Sequence, residues 1–231
     1  MLALRIRGVV YRRMGFENDG FAIVPDVLSA GECAALLAAL GPSEVAGRRG
    51  LLALDAVAKL ARSAPLMALI RPLLGAAPLA VRAIFFDKSP EVNWLVAWHQ
   101  DLTIAVRKMC EVPGFGPWSV KDGIPHVQPP VALLERMLTV RIHLDDADES
   151  NGALRVLPGS HRHGRLTPDE VVELRGKTPE FLCAAKAGDA LLMRPLILHA
   201  SGRSMSAAHR RVLHIEYAAF ALPGGLEWQE L

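Results

Sequence analysis

The sequence predicts a mainly β fold with flanking helices. Of its 231 residues, 51% are hydrophobic and 22% are charged, so the chain can bury a sizeable core and is not a disordered chain. Its 19 glycines and 16 prolines are more than a helical bundle uses, and they indicate many short elements joined by turns. Several short segments are rich in valine, isoleucine and phenylalanine, which favours strands. The length predicts one domain over residues 1–231.

The first third of the chain is expected to combine one strand with several helices. Residues 1–14 are basic and predict either a short edge strand or a tail. Ser29 and Glu32 have the spacing of a capping box, which marks the start of a helix. In chain order, the predicted elements are a strand at residues 21–25 and helices at residues 33–40, 51–61 and 65–74.

Beyond residue 78 the pattern changes to strands. The predicted strands lie at residues 79–86, 93–103, 137–144, 153–157, 190–193, 196–200 and 212–221. Asn151-Gly152 is a tight hairpin signal between two of them. Thr167 and Glu170 form a second capping box, which predicts a short helix at residues 168–175 closed by a glycine.

Residues 111–131 interrupt this series of strands. The segment contains five prolines and three glycines in 21 residues. A loop of this length inside a compact domain is usually either functional or disordered, and the aromatic content favours function. We therefore predict a lid loop here, with Trp118, His126 and Gln128 as candidate substrate contacts; a stiff crossover made by the prolines is the alternative.

Charge and cysteine content narrow the class of partner. The net charge of +2 is too small to indicate nucleic acid or an anionic membrane, and no apolar segment is long enough for a membrane span or a secretory signal. The three cysteines are far apart and lack metal-binding spacing, which predicts a reducing, cytoplasmic location. We expect a small-molecule substrate and a monomer or small homo-oligomer.

One short motif has metal-binding chemistry. In the predicted strand around Trp98, alternation places His99 and Asp101 on the same face. Together with a distant histidine, for which we choose His199, they make the two-histidine, one-carboxylate set that holds non-haem Fe(II). Alone, the H-x-D spacing is a weak signal. The same residues also suit Zn²⁺ with an open water position, so a zinc hydrolase is a rival prediction.

Three motifs in order resemble those of one enzyme family. They are Trp98-His-Gln-Asp101, the segment from Asn151 to His161, and the segment from His199 to Tyr217. With the Asp19-Gly20-Phe21 phrase, they resemble the phytanoyl-CoA dioxygenase family over nearly the whole chain. The resemblance implies a cupin-like double-stranded β-helix, or jelly roll. It also implies an Fe(II)- and 2-oxoglutarate-dependent oxygenase that uses O₂, hydroxylates a small or medium organic substrate, and releases succinate and CO₂.

The resemblance also implies roles for individual residues. His99, Asp101 and His199 match the iron ligands, and Arg210 matches the arginine that binds a carboxylate of 2-oxoglutarate. A guanidinium suits that task because it pairs with a carboxylate through two hydrogen bonds. Ser201 matches a hydroxyl donor to the same carboxylate. Arg141 stands where some members place a tryptophan near the co-substrate, so its role is less defined.

Other functional questions stay open at the level of sequence. The carboxylate of Asp101 favours hydroxylation over halogenation, because the family's halogenases have a small residue at that position. A binding module without turnover is a third hypothesis. Lys88 and Asn93 flank the strand that carries His99 and could reach the cavity, but the sequence does not decide this. It also does not name the substrate, and phytanoyl-CoA is not assumed.

Overall fold

The computed structural model describes residues 3–6, 9–75 and 77–230. In chain order the strands are β1 (Ala3–Ile6), β2 (Val9–Arg12), β3 (Phe21–Val24), β4 (Gly47–Arg48), β5 (Leu79–Lys88), β6 (Val96–His99), β7 (Ile104–Ala105), β8 (Trp118–Lys121), β9 (Ile124–Val127), β10 (Leu138–His143), β11 (Leu154–Val156), β12 (Phe181–Leu182), β13 (Ala190–Met193), β14 (His199–Ser201) and β15 (Arg210–Ala218). The helices are α1 (Arg13–Asp19), α2 (Ala30–Leu40), α3 (Asp55–Ala61), α4 (Ala64–Leu74), α5 (Val131–Leu134) and α6 (Pro168–Lys177).

Two antiparallel sheets form the centre of the molecule. The larger sheet has the strand order β3-β13-β10-β15-β5-β4, and the smaller sheet has the order β12-β11-β14-β6. Side chains from strands of both sheets line one common cavity, so the sheets face each other across it. Mainly β architecture with flanking helices was the sequence prediction, and it is confirmed.

Helices cover the outer face of the larger sheet. Buried leucine and isoleucine side chains of α2 and α4 pack with those of β10 and β15 in one apolar cluster. Tyr217 of β15 is also in this cluster, and its hydroxyl donates to the Ala61 carbonyl at 3.0 Å. Because one face of the sheet is sealed in this way, the alternate side chains of its strands are directed to the cavity on the other face.

The predicted helix starts are confirmed by their caps. The Ser29 hydroxyl accepts a hydrogen bond from the Glu32 backbone, and the Glu32 carboxylate accepts one from the Ser29 backbone in return. The same exchange joins Thr167 and Glu170 at the start of α6. The helix predicted at residues 51–61 is divided into a 3-10 turn and α3, and α6 continues through Gly176 instead of ending before it.

The segment at residues 111–131 is not one continuous loop. Its middle forms the β8–β9 hairpin, and β7 adds a third strand beside β9. All three glycines of the segment have positive φ, and two of them, Gly114 and Gly123, lie in its turns. The frequent prolines concealed this hairpin in the sequence, since proline usually argues against strand pairing. Its action as a lid stays a prediction.

Several strand boundaries also differ from the sequence prediction. β6 ends at His99, although a strand was expected to residue 103, and β14 covers His199–Ser201, although a strand was expected at residues 196–200. The strands were predicted from apolar residues, but apolar residues of loops are also buried without pairing in a sheet. Predicted strands therefore extend into the neighbouring loops. Within residues 1–14, β1 and β2 pair with each other in a separate two-stranded sheet. Across the described residues, we find no helix with the length and apolar character that crossing a membrane requires.

Candidate metal centre and adjoining anion pocket

Two histidines and one aspartate converge at one end of the smaller sheet. His99 ends β6 and His199 begins β14, directly opposite each other in the antiparallel pair. Asp101 follows β6, and its backbone N–H donates to the Pro195 carbonyl at 2.9 Å. The ligand atoms of the three side chains lie within 4.8 Å of one another. The structure therefore brings together the three residues that the sequence predicted as metal ligands.

Backbone carbonyls orient both imidazole rings. Nδ1 of His99 lies 2.9 Å from the Ala97 carbonyl, and Nδ1 of His199 lies 2.9 Å from the Ile197 carbonyl. A carbonyl only accepts hydrogen bonds, so each Nδ1 carries the proton and each Nε2 presents a lone pair. Both Nε2 atoms lie 3.8 Å from a carboxylate oxygen of Asp101. A hydrogen bond from the nitrogen that faces away from the metal, here Nδ1 to a backbone carbonyl, is typical of metal-bound histidine.

The charge state of the three side chains fits a divalent cation. Burial disfavours ionisation of Asp101, but the charges that the neighbouring imidazoles carry when protonated, together with Arg82, outweigh it and lower the pKa of Asp101 to about 2. Burial lowers the pKa of His199 to about 4, so its imidazole is neutral near pH 7. Asp101 Oδ2 is buried and has no hydrogen-bond partner. An unpaired buried carboxylate facing two imidazole lone pairs is a donor set that suits Fe(II).

Cationic side chains line the same cavity as the metal ligands. Arg210 is 2% exposed, and its guanidinium makes no hydrogen bond or ion pair with any described residue. Arg141 also lines the cavity, and its charge is one reason that the Arg210 pKa is lowered to about 9, the main cause being burial. Such buried, mutually repelling cations require an anion. We call the group formed by Lys88, Arg141, Ser201 and Arg210 the anion pocket.

Lys88 is the member of the anion pocket that the sequence did not assign. It is 0% exposed and lies opposite Arg210 in the β5–β15 register. Its ammonium donates to Ser201 Oγ at 2.9 Å, and Ser201 Oγ donates to the Gly152 carbonyl at 2.8 Å. Burial and the charges of Arg210 and Arg141 lower the Lys88 pKa to about 7. One signal in the sequence could have identified Lys88: it is a lysine at the end of a hydrophobic strand, two positions after Phe86.

A chain of hydrogen bonds holds Arg141 on the cavity floor. Arg141 Nη1 lies 3.0 Å from Nδ1 of His214, and His214 Nε2 lies 3.3 Å from the Glu216 carboxylate. Arginine only donates hydrogen bonds, so Nδ1 of His214 accepts from Arg141. Nε2 of His214 then carries the proton and donates a hydrogen bond to the Glu216 carboxylate. Arg82 closes the chain by pairing with the same carboxylate. Period-two alternation in β15 places His214 and Glu216 on one face, and this alternation is the sequence signal that could have identified them.

The metal cavity has a volume of about 160 Å³. Its lining includes His99, Asp101, His199, Ser201, Arg210, Arg141, His214, Leu154, Val96, Phe86 and Trp94. None of the candidate substrate contacts in the hairpin is among them. Trp118 packs in an apolar cluster with Val127, and His126 is buried with Nδ1 against the Ile124 carbonyl at 2.9 Å. The roles of Trp118, His126 and Gln128 stay predictions.

Comparison with known proteins gives the family. A sequence model of the phytanoyl-CoA dioxygenase (PhyH) family matches residues 16–212, which is most of the chain. The chain belongs to the phytanoyl-CoA dioxygenase family. The metal ligands and the whole anion pocket lie inside the matched residues. The family predicted from the three sequence motifs is therefore confirmed.

Two curated relatives have names that give different substrates. The chain is 29% identical over 179 residues to a probable alpha-ketoglutarate-dependent hypophosphite dioxygenase of Stutzerimonas stutzeri; the match covers 71% of this chain and 54% of the relative. It is 28% identical over 204 residues to the L-proline trans-4-hydroxylase of Streptomyces griseoviridis, covering 77% of this chain and 68% of the relative. The match thus spans only about half of the first relative's length.

A solved structure shows the same fold. The chain is similar to EctD from S. alaskensis, a crystal structure with 2-oxoglutarate and 5-hydroxyectoine, with a TM-score of 0.70 and 22% sequence identity. The likeness covers 89% of this chain and 74% of that one. At this identity the comparison establishes the architecture, which is the double-stranded β-helix expected of the family.

Proposed function

We propose that this protein is an Fe(II)- and 2-oxoglutarate-dependent oxygenase that uses O₂ to hydroxylate a small or medium organic substrate, releasing succinate and CO₂. One observation carries the proposal: the His99, Asp101 and His199 cluster shares a cavity with the unpaired guanidinium of Arg210. The binding sites for a metal and for an anionic co-substrate therefore adjoin each other. The names of both curated relatives, one alpha-ketoglutarate-dependent and one a hydroxylase, support the same activity.

In this mechanism the protein supplies geometry, charge and exclusion of water. His99, Asp101 and His199 hold the metal, which supplies the oxidative chemistry when it is bound. Arg210 would bind the distal carboxylate of 2-oxoglutarate beside Ser201, and Lys88 holds Ser201 in place by donating to its Oγ. Because this carboxylate is fixed at the buried end of the cavity, the ketoacid end is directed to the metal. The chain from Arg141 to Arg82 keeps the cavity floor rigid.

Neither rival function accounts for all residues of the site. A zinc hydrolase uses the three ligands and a water, but it does not require the cations Lys88, Arg141 and Arg210. A binding module without turnover has no need of an unpaired Asp101 carboxylate. The names of the two relatives give different substrates, hypophosphite and L-proline. Membership of the family therefore does not identify the substrate.

The adjacent arginines Arg210 and Arg211 provide a matched test. Arg211 binds Asp145 through Nε and Nη2, each at 2.7 Å, and does not line the cavity. Purified protein with Fe(II), 2-oxoglutarate and O₂ is expected to form succinate. Arg210→Ala is expected to weaken 2-oxoglutarate binding by at least about tenfold, since a hydrogen bond to a charged group is lost. Arg211→Ala is expected to leave it within about twofold.

Two measurements decide the outcome. Calorimetry gives the affinity for 2-oxoglutarate, and a visible absorption band appears when Fe(II) and 2-oxoglutarate are combined without O₂. If no succinate forms, no band appears and both arginine variants bind 2-oxoglutarate like the parent protein, the proposed activity is wrong. Metal analysis of anaerobically purified protein and a panel of hydrolase substrates then test the zinc rival.

We also infer a cytoplasmic location and a monomer or small homo-oligomer. Cys33, Cys110 and Cys183 are all free thiols, which fits a reducing compartment. Cell fractionation and size-exclusion chromatography with light scattering measure these two properties. No feature of the composition favours a nucleic-acid partner.

A further inference from the structure

We propose that His143 is a positioning residue of the anion pocket. Its imidazole accepts a hydrogen bond from Nε of Arg210 and so turns the two Nη atoms of the guanidinium to the distal carboxylate of 2-oxoglutarate. This inference rests on the proposed function and deepens it by naming a residue that controls recognition of the co-substrate.

His143 lies on the cavity face of the larger sheet. It is the last residue of β10, two positions after Arg141, which lines the metal cavity. Its neighbours in the chain, Ile142 and Leu144, belong to the apolar cluster that the helices share with the sheet. Because side chains alternate along a strand, His143 is directed to the same face as Arg141. It is not among the residues that line the cavity, so it lies behind them and acts through a neighbour.

The strand register places His143 next to Arg210. His143 is directly opposite Val212 in the β10–β15 pairing, and Val212 is two positions after Arg210 on the same strand. His143 and Arg210 are therefore diagonal neighbours on one face of the sheet. Such neighbours are roughly 7–8 Å apart, which is within reach of long and aromatic side chains.

The two side chains have complementary unpaired groups. His143 is 1% exposed, and neither ring nitrogen has a hydrogen-bond partner among the described residues. Nε of Arg210 is also buried and without a partner there. Burial, with the charges of Arg141 and Arg210, lowers the pKa of His143 to about 3, so its ring is neutral near pH 7. A neutral imidazole has one nitrogen that accepts a hydrogen bond, and a guanidinium only donates.

Arg141 is the other guanidinium close to His143, but it is already oriented. Its Nη1 donates to Nδ1 of His214, and its guanidinium lies over the Phe86 ring at 5.6 Å. Arg210 makes no hydrogen bond with any described residue. The accepting nitrogen of His143 is therefore assigned to Arg210.

The carboxylates that influence Arg210 are bound to other side chains. The charges of Asp145 and Asp87 act to raise the pKa of Arg210. Asp145 binds Arg211 through two hydrogen bonds of 2.7 Å, and Oδ1 of Asp87 lies 2.7 Å from Nδ1 of His209. A carboxylate paired with Arg210 would neutralise it and compete with the ligand. A neutral imidazole orients the guanidinium and leaves its charge for the ligand.

Two ketoacids that differ in the distal carboxylate test this inference. 2-Oxopentanoate has the carbon chain and the ketoacid end of 2-oxoglutarate but lacks that carboxylate. Calorimetry measures the binding of both to Fe(II)-loaded protein without O₂. His143→Leu is expected to weaken 2-oxoglutarate binding about fivefold and to leave 2-oxopentanoate binding within about twofold. His143→Gln keeps an acceptor and is expected to bind 2-oxoglutarate within about twofold of the parent protein.

The stability of the ligand-free protein separates positioning from a structural role. Because the imidazole has no hydrogen bond there, His143→Leu is expected to leave the Tm unchanged or to raise it. A residue needed for the fold would instead lower the Tm and weaken both ketoacids alike. His143→Phe is measured in the same way if His143→Leu does not fold. His163 is exposed and outside the cavity lining, so His163→Gln is the control and is expected to bind like the parent protein.

A double-mutant cycle connects the effect to Arg210. In the Arg210→Ala background, His143→Leu is expected to cause no further loss of 2-oxoglutarate binding. Additive effects of the two substitutions, an equal loss for the two ketoacids, or no loss of 2-oxoglutarate binding overturns the inference.

The two proposals fail in distinguishable ways. If succinate forms but His143→Leu binds 2-oxoglutarate like the parent protein, only the role of His143 is wrong. If the substitution weakens 2-oxoglutarate alone but the parent protein forms no succinate, only the proposed activity is wrong. If the parent protein does not bind 2-oxoglutarate, both are wrong.

Discussion

At the scale of single residues, Lys88 shows how neighbouring charges set the properties of the site. The groups around its ammonium are the cations Arg210 and Arg141, the Gly202 carbonyl at 2.5 Å, the Ser201 hydroxyl at 2.9 Å, and the Trp94 ring at 5.0 Å. None of them is an anion. Burial and these cations lower the Lys88 pKa to about 7, so a bound carboxylate is the group that restores its charge.

This environment predicts a pH dependence of co-substrate binding. The ammonium form of Lys88 attracts a carboxylate bound at Arg210, its neighbour in the strand register, and the free protein loses that form as pH rises through about 7. Affinity for 2-oxoglutarate is therefore expected to fall as pH increases above 7, by up to about tenfold per unit. Calorimetry across this range measures it. Lys88→Arg stays charged and is expected to remove the dependence; a parent affinity that does not change with pH contradicts this account.

At the scale of elements, a close approach between two segments shapes the anion pocket. Gly152 has φ +75°, and a Cβ there would lie 2.4 Å from the Gly202 carbonyl oxygen and 3.2 Å from Lys88 Nζ. Only glycine satisfies both the backbone conformation and the contact. The hairpin predicted at Asn151-Gly152 is wrong, because β10 and β11 belong to different sheets; the pair instead lies in the connection between them, where Gly152 comes close to Lys88.

Two glycine-to-alanine substitutions are expected to have opposite effects. Gly152→Ala is expected to destabilise the fold by about 2 kcal/mol and to weaken 2-oxoglutarate binding, because Gly202 and Lys88 must move. Gly176 lies in α6 with no atom near its Cβ position, so Gly176→Ala is expected to stabilise by about 0.5–1 kcal/mol. Urea unfolding measures both. Equal effects of the two substitutions would show that the Gly152 contact is unimportant.

At the scale of the whole molecule, the helices and the larger sheet share one core. Leu69 of α4 is fully buried in the same apolar cluster as Leu138 and Ile215 of the sheet. The cavity with the metal ligands lies on the other face of that sheet. Loss of packing under the helices is therefore expected to affect the whole unit, including the site.

Leu69→Ala tests this coupling. The substitution is expected to lower the free energy of unfolding by about 2–5 kcal/mol, because it removes buried methyl groups and leaves a cavity. Far-ultraviolet circular dichroism and tryptophan fluorescence are expected to report one coincident transition. Val172→Ala, at a side chain that is 69% exposed, is the control and is expected to change stability by less than about 0.5 kcal/mol. Two separate transitions contradict a single domain.

The sequence by itself determined the features that depend on local spacing. Helix starts at Ser29 and Thr167 follow from capping residues three positions apart, and the H-x-D spacing keeps Asp101 close to His99 although β6 ends at His99. Arg210 followed from the resemblance to the phytanoyl-CoA dioxygenase family, whose carboxylate-binding arginine it matches by position. Within such short ranges, backbone geometry alone limits where a side chain can point.

Only the tertiary structure decided the rest of the site. The contact of Lys88 with Ser201 and the pairing of Arg82 with Glu216 both join segments far apart in the chain. The β8–β9 hairpin was also hidden, since its prolines argue against strands until a neighbouring strand is present. Charge pairing and ladder formation depend on which strands become neighbours, and local sequence patterns do not specify that.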